Sequence, residues 1–105
     1  MRPGQDKRLG SIIRRTVAEF LEREIRGKLI MTVSRVEIVN RGHLAKIYVT
    51  IFPDEAEAVG LDEAKRLQHS LQHYLREQIK AKHIPFLQIV LDEEEKINRR
   101  ANLEK

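Results

Sequence analysis

Leu9, Ile12, Ile13, Val17, Phe20, Leu21 and Ile25 recur at spacings of three and four. Such spacing puts them on one stripe of a helix predicted over 8–25. Arg8, Arg14, Arg15, Glu22, Arg23 and Arg26 fall mostly off that stripe. Gly27 stands where a chain leaves a helix in a left-handed conformation. Residues 1–7, with Pro3 and Gly4, read as a loose lead-in. From Met31 to Val39 the composition turns β-branched, and Ser34, Val36 and Ile38 share one face of a strand. Met31 and Val33 are out of phase with them, which calls for either a bulge or a strand buried on both faces. After a polar turn at Asn40-Arg41-Gly42-His43, Ala45, Ile47, Val49 and Ile51 alternate with Lys46, Tyr48, Thr50 and Phe52. This second strand packs one face inward and turns a lysine, a tyrosine and a phenylalanine outward.

Pro53 ends the strand because it has no N–H to give a ladder. An acidic connection follows over 54–60. Leu61, Ala64, Leu67, Leu71, Leu75 and Ile79 then mark a second helix, opened by Asp62 and Glu63, which suit its positive end. Pro85 stops any helix at the residue before it. The apolar run from Phe86 to Leu91 is the third strand, Asp92 to Glu95 is an acidic segment, and 97–105 reads as a frayed helical turn. Helix, strand, strand, helix, strand makes one α+β domain, and 105 residues suffice for one core and not for two.

Charge adds a second layer. The formal net charge is +4, and it is uneven: residues 1–30 hold eight Lys/Arg against four Asp/Glu, and 61–85 hold five against three. The stretches 31–60 and 86–105 are each net −1, so the positive excess travels with the two helices. Moderate basicity favours polyanions without identifying one. The absence of cysteine excludes disulfides and thiolate metal sites. No apolar run precedes Ile12 and none approaches the roughly 20 residues that span a bilayer, so a cytoplasmic protein with no membrane partner is expected.

Catalytic chemistry finds little footing. Phosphate loops and nucleophile elbows are missing, and nothing marks a pair of carboxylates for acid–base work. His69 and His73 are four apart, a spacing that zinc helices use, but no glutamate follows His69 to serve as a base. They read as solvent-exposed or phosphate-facing imidazoles, with His43 and His83 as loop residues; no metal site and no cofactor is expected. Lys65, Arg66, His69, His73, Arg76, Lys80 and Lys82 lie off the second helix's apolar stripe and its exit, where they can line one flank for ribose-phosphate contacts. The alternative is a solvated face paired with Asp62, Glu63 and Glu77. Tyr48 and Phe52 serve either as stacking platforms or in cross-strand packing.

In order and spacing these pieces resemble the ribosome-binding factor A family, bacterial factors of small-subunit assembly. The resemblance runs through Arg8-Leu9-Gly10-Ser11-Ile12-Ile13-Arg14-Arg15, then Thr32-Val33-Ser34-Arg35-Val36-Glu37-Ile38, then Ala45-Lys46-Ile47-Tyr48-Val49 after a short link. It continues with Tyr74-Leu75-Arg76, Lys80, Lys82, Ile84-Pro85 and a strand ending at Asp92, and covers roughly 8–100. It implies a single KH-like domain over 8–92, of type II topology (helix-strand-strand-helix-helix-strand), with 93–105 as a short tail. It also implies a non-catalytic protein that binds the small ribosomal subunit and its precursor ribosomal RNA late in maturation, with a link to growth in the cold; nothing in the pattern demands more than a monomer. The contact residues expected on that basis are Arg14, Lys46, Arg66, His69, His73, Arg76, Lys80 and Lys82. A competing expectation is a KH-like module presenting Tyr48, Phe52 or the acidic segment to a protein partner. Where the family carries Ala-x-Gly at a helix kink, the positions matched here read Leu71-Gln72-His73. Histidine lacks glycine's backbone freedom, so either a straighter helix or a kink placed elsewhere is expected.

Overall fold

A computed structural model describes residues 3–25, 27 and 29–103. Helix α1 spans Pro3–Glu24. It therefore starts at Pro3 rather than at residue 8, and the expected loose lead is helical from that point. Proline suits the first turn, where its missing N–H has no partner to lose. The predicted stripe is the buried one: Ile13, Val17, Phe20, Leu21 and Ile25 are in the core, with Leu9 and Ile12 at its margin. Gly27 follows with φ +117, a conformation that a side chain would strain.

Strands β1 (Ile30–Val39) and β2 (Leu44–Phe52) form an antiparallel hairpin. They are joined by a 3-10 turn, Asn40–Gly42, in which Asn40, Arg41 and Gly42 all have positive φ. The phase problem in β1 resolves as a bulge. Met31 and Val33 pair with Ile51 and Val49, the register shifts between Val33 and Arg35, and Val36 and Ile38 then pair with Ile47 and Ala45. Ser34 is the extra residue, and bulging it out of the ladder lets both halves of the strand turn their apolar side chains to the same core.

The second predicted helix is two. After a 3-10 turn at Asp54–Ala56, α2 runs Glu57–Arg66 and α3 runs Gln68–Gln78. The acidic connection thus supplies the first turn of α2. The break is at Leu67, with φ −86 and ψ −2, a conformation open to any residue. The kink therefore needs no glycine. It also lies one turn before Leu71-Gln72-His73, which sits within unbroken α3, so the triplet at the break is Leu67-Gln68-His69. The apolar stripe continues across the break: Ala64, Leu71, Leu75 and Ile79 are buried, with Leu61 and Leu67 packed against them.

Strand β3 (Phe86–Leu91) pairs parallel with β2, giving the order β1-β2-β3. Helix α1 packs on β1 and on α3, while α2 and α3 pack on β3. Helices cover one face of the sheet and leave the other open. The fold is α+β, as the pattern implied, and its element order is the KH-like one that the resemblance implied. One element departs from it: the segment expected to be a tail contains helix α4, Glu93–Leu103.

Candidate nucleic-acid interface

The expected contact residues fall in separate places. One set gathers beside α3. Lys65, His69, His73 and Arg76 are spaced by three and four, so they share a flank. With Gln68, Gln72 and Phe86 they line an open groove of about 530 Å³ between the helix and β3. Phe86 is 59% exposed there. The sequence reading treated it only as the start of a strand. The alternation Leu87, Ile89, Leu91 inward leaves Phe86, Gln88 and Val90 outward, and that period was the available signal.

A second basic region lies on the opposite edge of the sheet. Arg14 and Ser11 on α1 are shared by two adjoining hollows, about 560 and 660 Å³, that run between α1 and β1. Arg15 lines one and Arg35 the other. Lys46 belongs to neither groove. It stands on the open sheet face, in register between Glu37 and Gln88. Lys80 and Lys82 are exposed on the connection from α3 to β3.

Contacts with carboxylates separate these side chains. Arg66 is held by Glu63, three residues before it, and His73 Nε2 lies 2.7 Å from Glu77 Oε1. Among the described residues, Arg14, Lys46, Arg76, Lys80 and Lys82 have no carboxylate partner. Those five expected contacts are free to meet phosphate, as are Lys65 in the α3 groove and Arg15 beside Arg14.

The two aromatic platforms also divide. The Arg35 guanidinium sits 3.9 Å over the Tyr48 ring, so one face of Tyr48 is already covered. Phe52 is 60% exposed and pairs across the strands with the equally open Ile30. His43 and His83 meet edge to face at 5.1 Å, as loop residues at one end of the sheet. Among the described residues no three His, Cys, Asp or Glu side chains converge as a metal site.

The acidic segment has a structural use that its sequence did not disclose. Asp92 caps α4: its Oδ1 accepts the Glu95 N–H at 3.0 Å. Its Oδ2 accepts the Ser34 hydroxyl at 2.5 Å and lies 3.5 Å from Arg35 Nε. Burial by itself pushes this carboxyl up. The bonds from Ser34 and Glu95, with the Arg35 charge, outweigh burial and hold it below the ordinary 3.8. Glu93, Glu94 and Glu95 occupy the first turn of α4, where negative charge suits the helix end. Lys96 Nζ then ties α4 to Glu57 of α2 at 2.8 Å.

The family model described as ribosome-binding factor A matches residues 5–103 of this sequence. The chain belongs to the ribosome-binding factor A family. Curated members from Flavobacterium psychrophilum and Flavobacterium johnsoniae are 24% and 25% identical over 99 residues, covering 89% of this chain and 76% of each relative. The crystal structure of ribosome-binding factor A from Thermus thermophilus is similar at a TM-score of 0.73, with 22% identity, 82% of this chain and 93% of that one. A Thermotoga maritima protein solved in solution gives 0.68 at 21% identity, covering 86% and 90%. The Thermus thermophilus factor as fitted into a cryo-EM map of a 30S complex gives 0.66 at 23% identity, covering 77% and 88%. The family is one of ribosome-binding factors, and among the described residues no helix is long and apolar enough to cross a membrane.

Proposed function

We propose that this protein is a non-catalytic assembly factor that binds the small ribosomal subunit through its ribosomal RNA during late maturation of precursor RNA. The observation that carries the reading is the set of unpaired cations Arg14, Lys46, Arg76, Lys80 and Lys82, displayed by a fold whose family binds ribosomes. Each cation that meets a phosphate releases condensed counterions, so affinity falls steeply with salt. His69 and His73 stand at the same groove as Arg76, and Arg66 joins them only by leaving Glu63. The protein acts as a cytoplasmic monomer. Holding one RNA arrangement more tightly than another shifts its population by that difference in affinity and no more. Such a bias matters most in the cold, when RNA leaves wrong arrangements slowly.

Co-sedimentation with mature small subunits and with precursor-rich particles, at two salt concentrations, tests this. Salt-sensitive binding to small-subunit particles, stronger for precursors and absent from large subunits, is the expected result. The open pair Ile30 and Phe52 favours a second reading, a protein-interaction module. Binding to a protein partner that persists at high salt, with none to small subunits, would select it.

A further inference from the structure

The outer edge of β3 is closed by two glutamines from α3. Phe86 N–H donates to His43 O at 2.9 Å and Asp92 N–H to Val49 O at 2.8 Å. Residues 86, 88, 90 and 92 therefore turn their backbone groups toward β2, and Leu87 turns its own to the free edge. There Gln72 Nε2 donates to Pro85 O at 2.9 Å while its Oε1 accepts the Leu87 N–H at 3.0 Å. One turn earlier, Gln68 Nε2 donates to Leu87 O at 2.7 Å. Leu87 and Ile89 are 0% and 2% exposed, so this edge does not reach solvent.

A strand edge offering a carbonyl and an N–H side by side is a template for any ligand with a neighbouring donor and acceptor. A nucleobase carries that pair on its Watson–Crick edge. The carboxamide of Gln72 carries the same pair and is already seated, 7% exposed. A base entering here would displace two formed hydrogen bonds, gain at most two, and drive a buried amide into the groove. Phe86, open in the same groove, remains available to the flat face of a base.

Resting on the RNA reading above, we propose that Gln72 is a specificity-determining residue. By filling the β3 edge it makes the α3–β3 groove a site for RNA phosphates and base faces that reads no base edge. The test compares fluorescent oligouridine with oligo-N3-methyluridine, in which a methyl group replaces the edge donor but leaves the stacking face. The wild-type protein should bind the two within about twofold of each other. A methyl penalty of about tenfold or more, the worth of a bidentate base contact, would overturn the proposal while leaving the RNA reading intact. Failure to bind either oligomer would overturn both. Gln72→Ala, with its fold checked by circular dichroism, should open the edge and favour the unmethylated oligomer. A folded variant that still ignores the methyl group would overturn the role of Gln72. Should the variant not fold, the wild-type comparison decides alone.

Discussion

Asp92→Ala should unfold this domain far more readily than an exposed surface substitution would. Asp92 is 3% exposed and makes two close bonds, the cap to the Glu95 N–H and the acceptance of the Ser34 hydroxyl. Losing a helix cap costs about 1 kcal/mol. Losing a hydrogen bond to a charged group costs about 2 kcal/mol more. Arg35 is left at nothing, because its side chain is 47% exposed and solvent screens it. The sum is about 3 kcal/mol, and with a urea dependence of about 1.5 kcal/mol/M the unfolding midpoint drops by about 2 M. Asp92→Asn keeps one acceptor for the Glu95 N–H but puts an NH2 donor where Oδ2 accepted the Ser34 hydroxyl, so it should cost about 2 kcal/mol. The pH dependence follows from the sign of the shift. The folded carboxyl is held below its unfolded value near 3.8, so its contribution is fully present above that value and lost as pH falls through the folded one. The stability gap between the wild type and Asp92→Asn should therefore be flat near neutrality and shrink in strong acid. An Asp92→Ala cost under about 0.5 kcal/mol at neutral pH, the range of ordinary surface changes, would refute the anchoring argument. So would a gap that does not move with acid.

Arg76→Ala and Lys80→Ala should each weaken binding to small-subunit particles and reduce the slope of log affinity against log salt by about one unit, read by titration at several salt concentrations. An unchanged slope would remove that residue from the interface. Gly27→Ala places a side chain at φ +117 and should destabilise the fold by about 1 kcal/mol or more, measured by thermal denaturation, with RNA binding retained. Leu75→Ala, at a position 0% exposed, should cost about 2–5 kcal/mol in urea unfolding, and the fraction that stays folded should keep the wild-type salt slope.

The helices and strands were legible because each buries one stripe, and a stripe shows as a period. The phase slip between Met31, Val33 and Val36, Ile38 left a bulge and a strand buried on both faces as alternatives, and the register selects the bulge. The break at Leu67 was hidden for the same reason: the stripe Ala64, Leu67, Leu71, Leu75 runs through it, and the conformation asks for no special residue. Asp92 looked like one member of an acidic run because Ser34, which fixes its role, lies 58 positions away. Of the flank expected from charge and helical spacing, Lys65, His69, His73 and Arg76 line one groove, while Arg66, Lys80 and Lys82 do not. Glu63 and Glu77 stand at helical spacings from Arg66 and His73, so their pairing was legible as an alternative, and only the structure chooses it over phosphate. Which side of the sheet each cation joins depends on strand order, and that placed Arg14 and Arg76 at opposite edges.

Ser34 makes β1 a strand with two reading frames. Substituting its side chain removes the bond to Asp92 and leaves both frames where they are. Deleting the residue merges the two frames into one strict alternation, because Val33 and Arg35 already face the adjacent partners Val49 and Tyr48. Met31, Val33, Val36 and Ile38 would all keep their inward places, and what is lost is the bend and the bond to Asp92. The domain should therefore tolerate a change of length at this position, whereas one residue added or removed elsewhere in β1 would turn part of its apolar stripe outward.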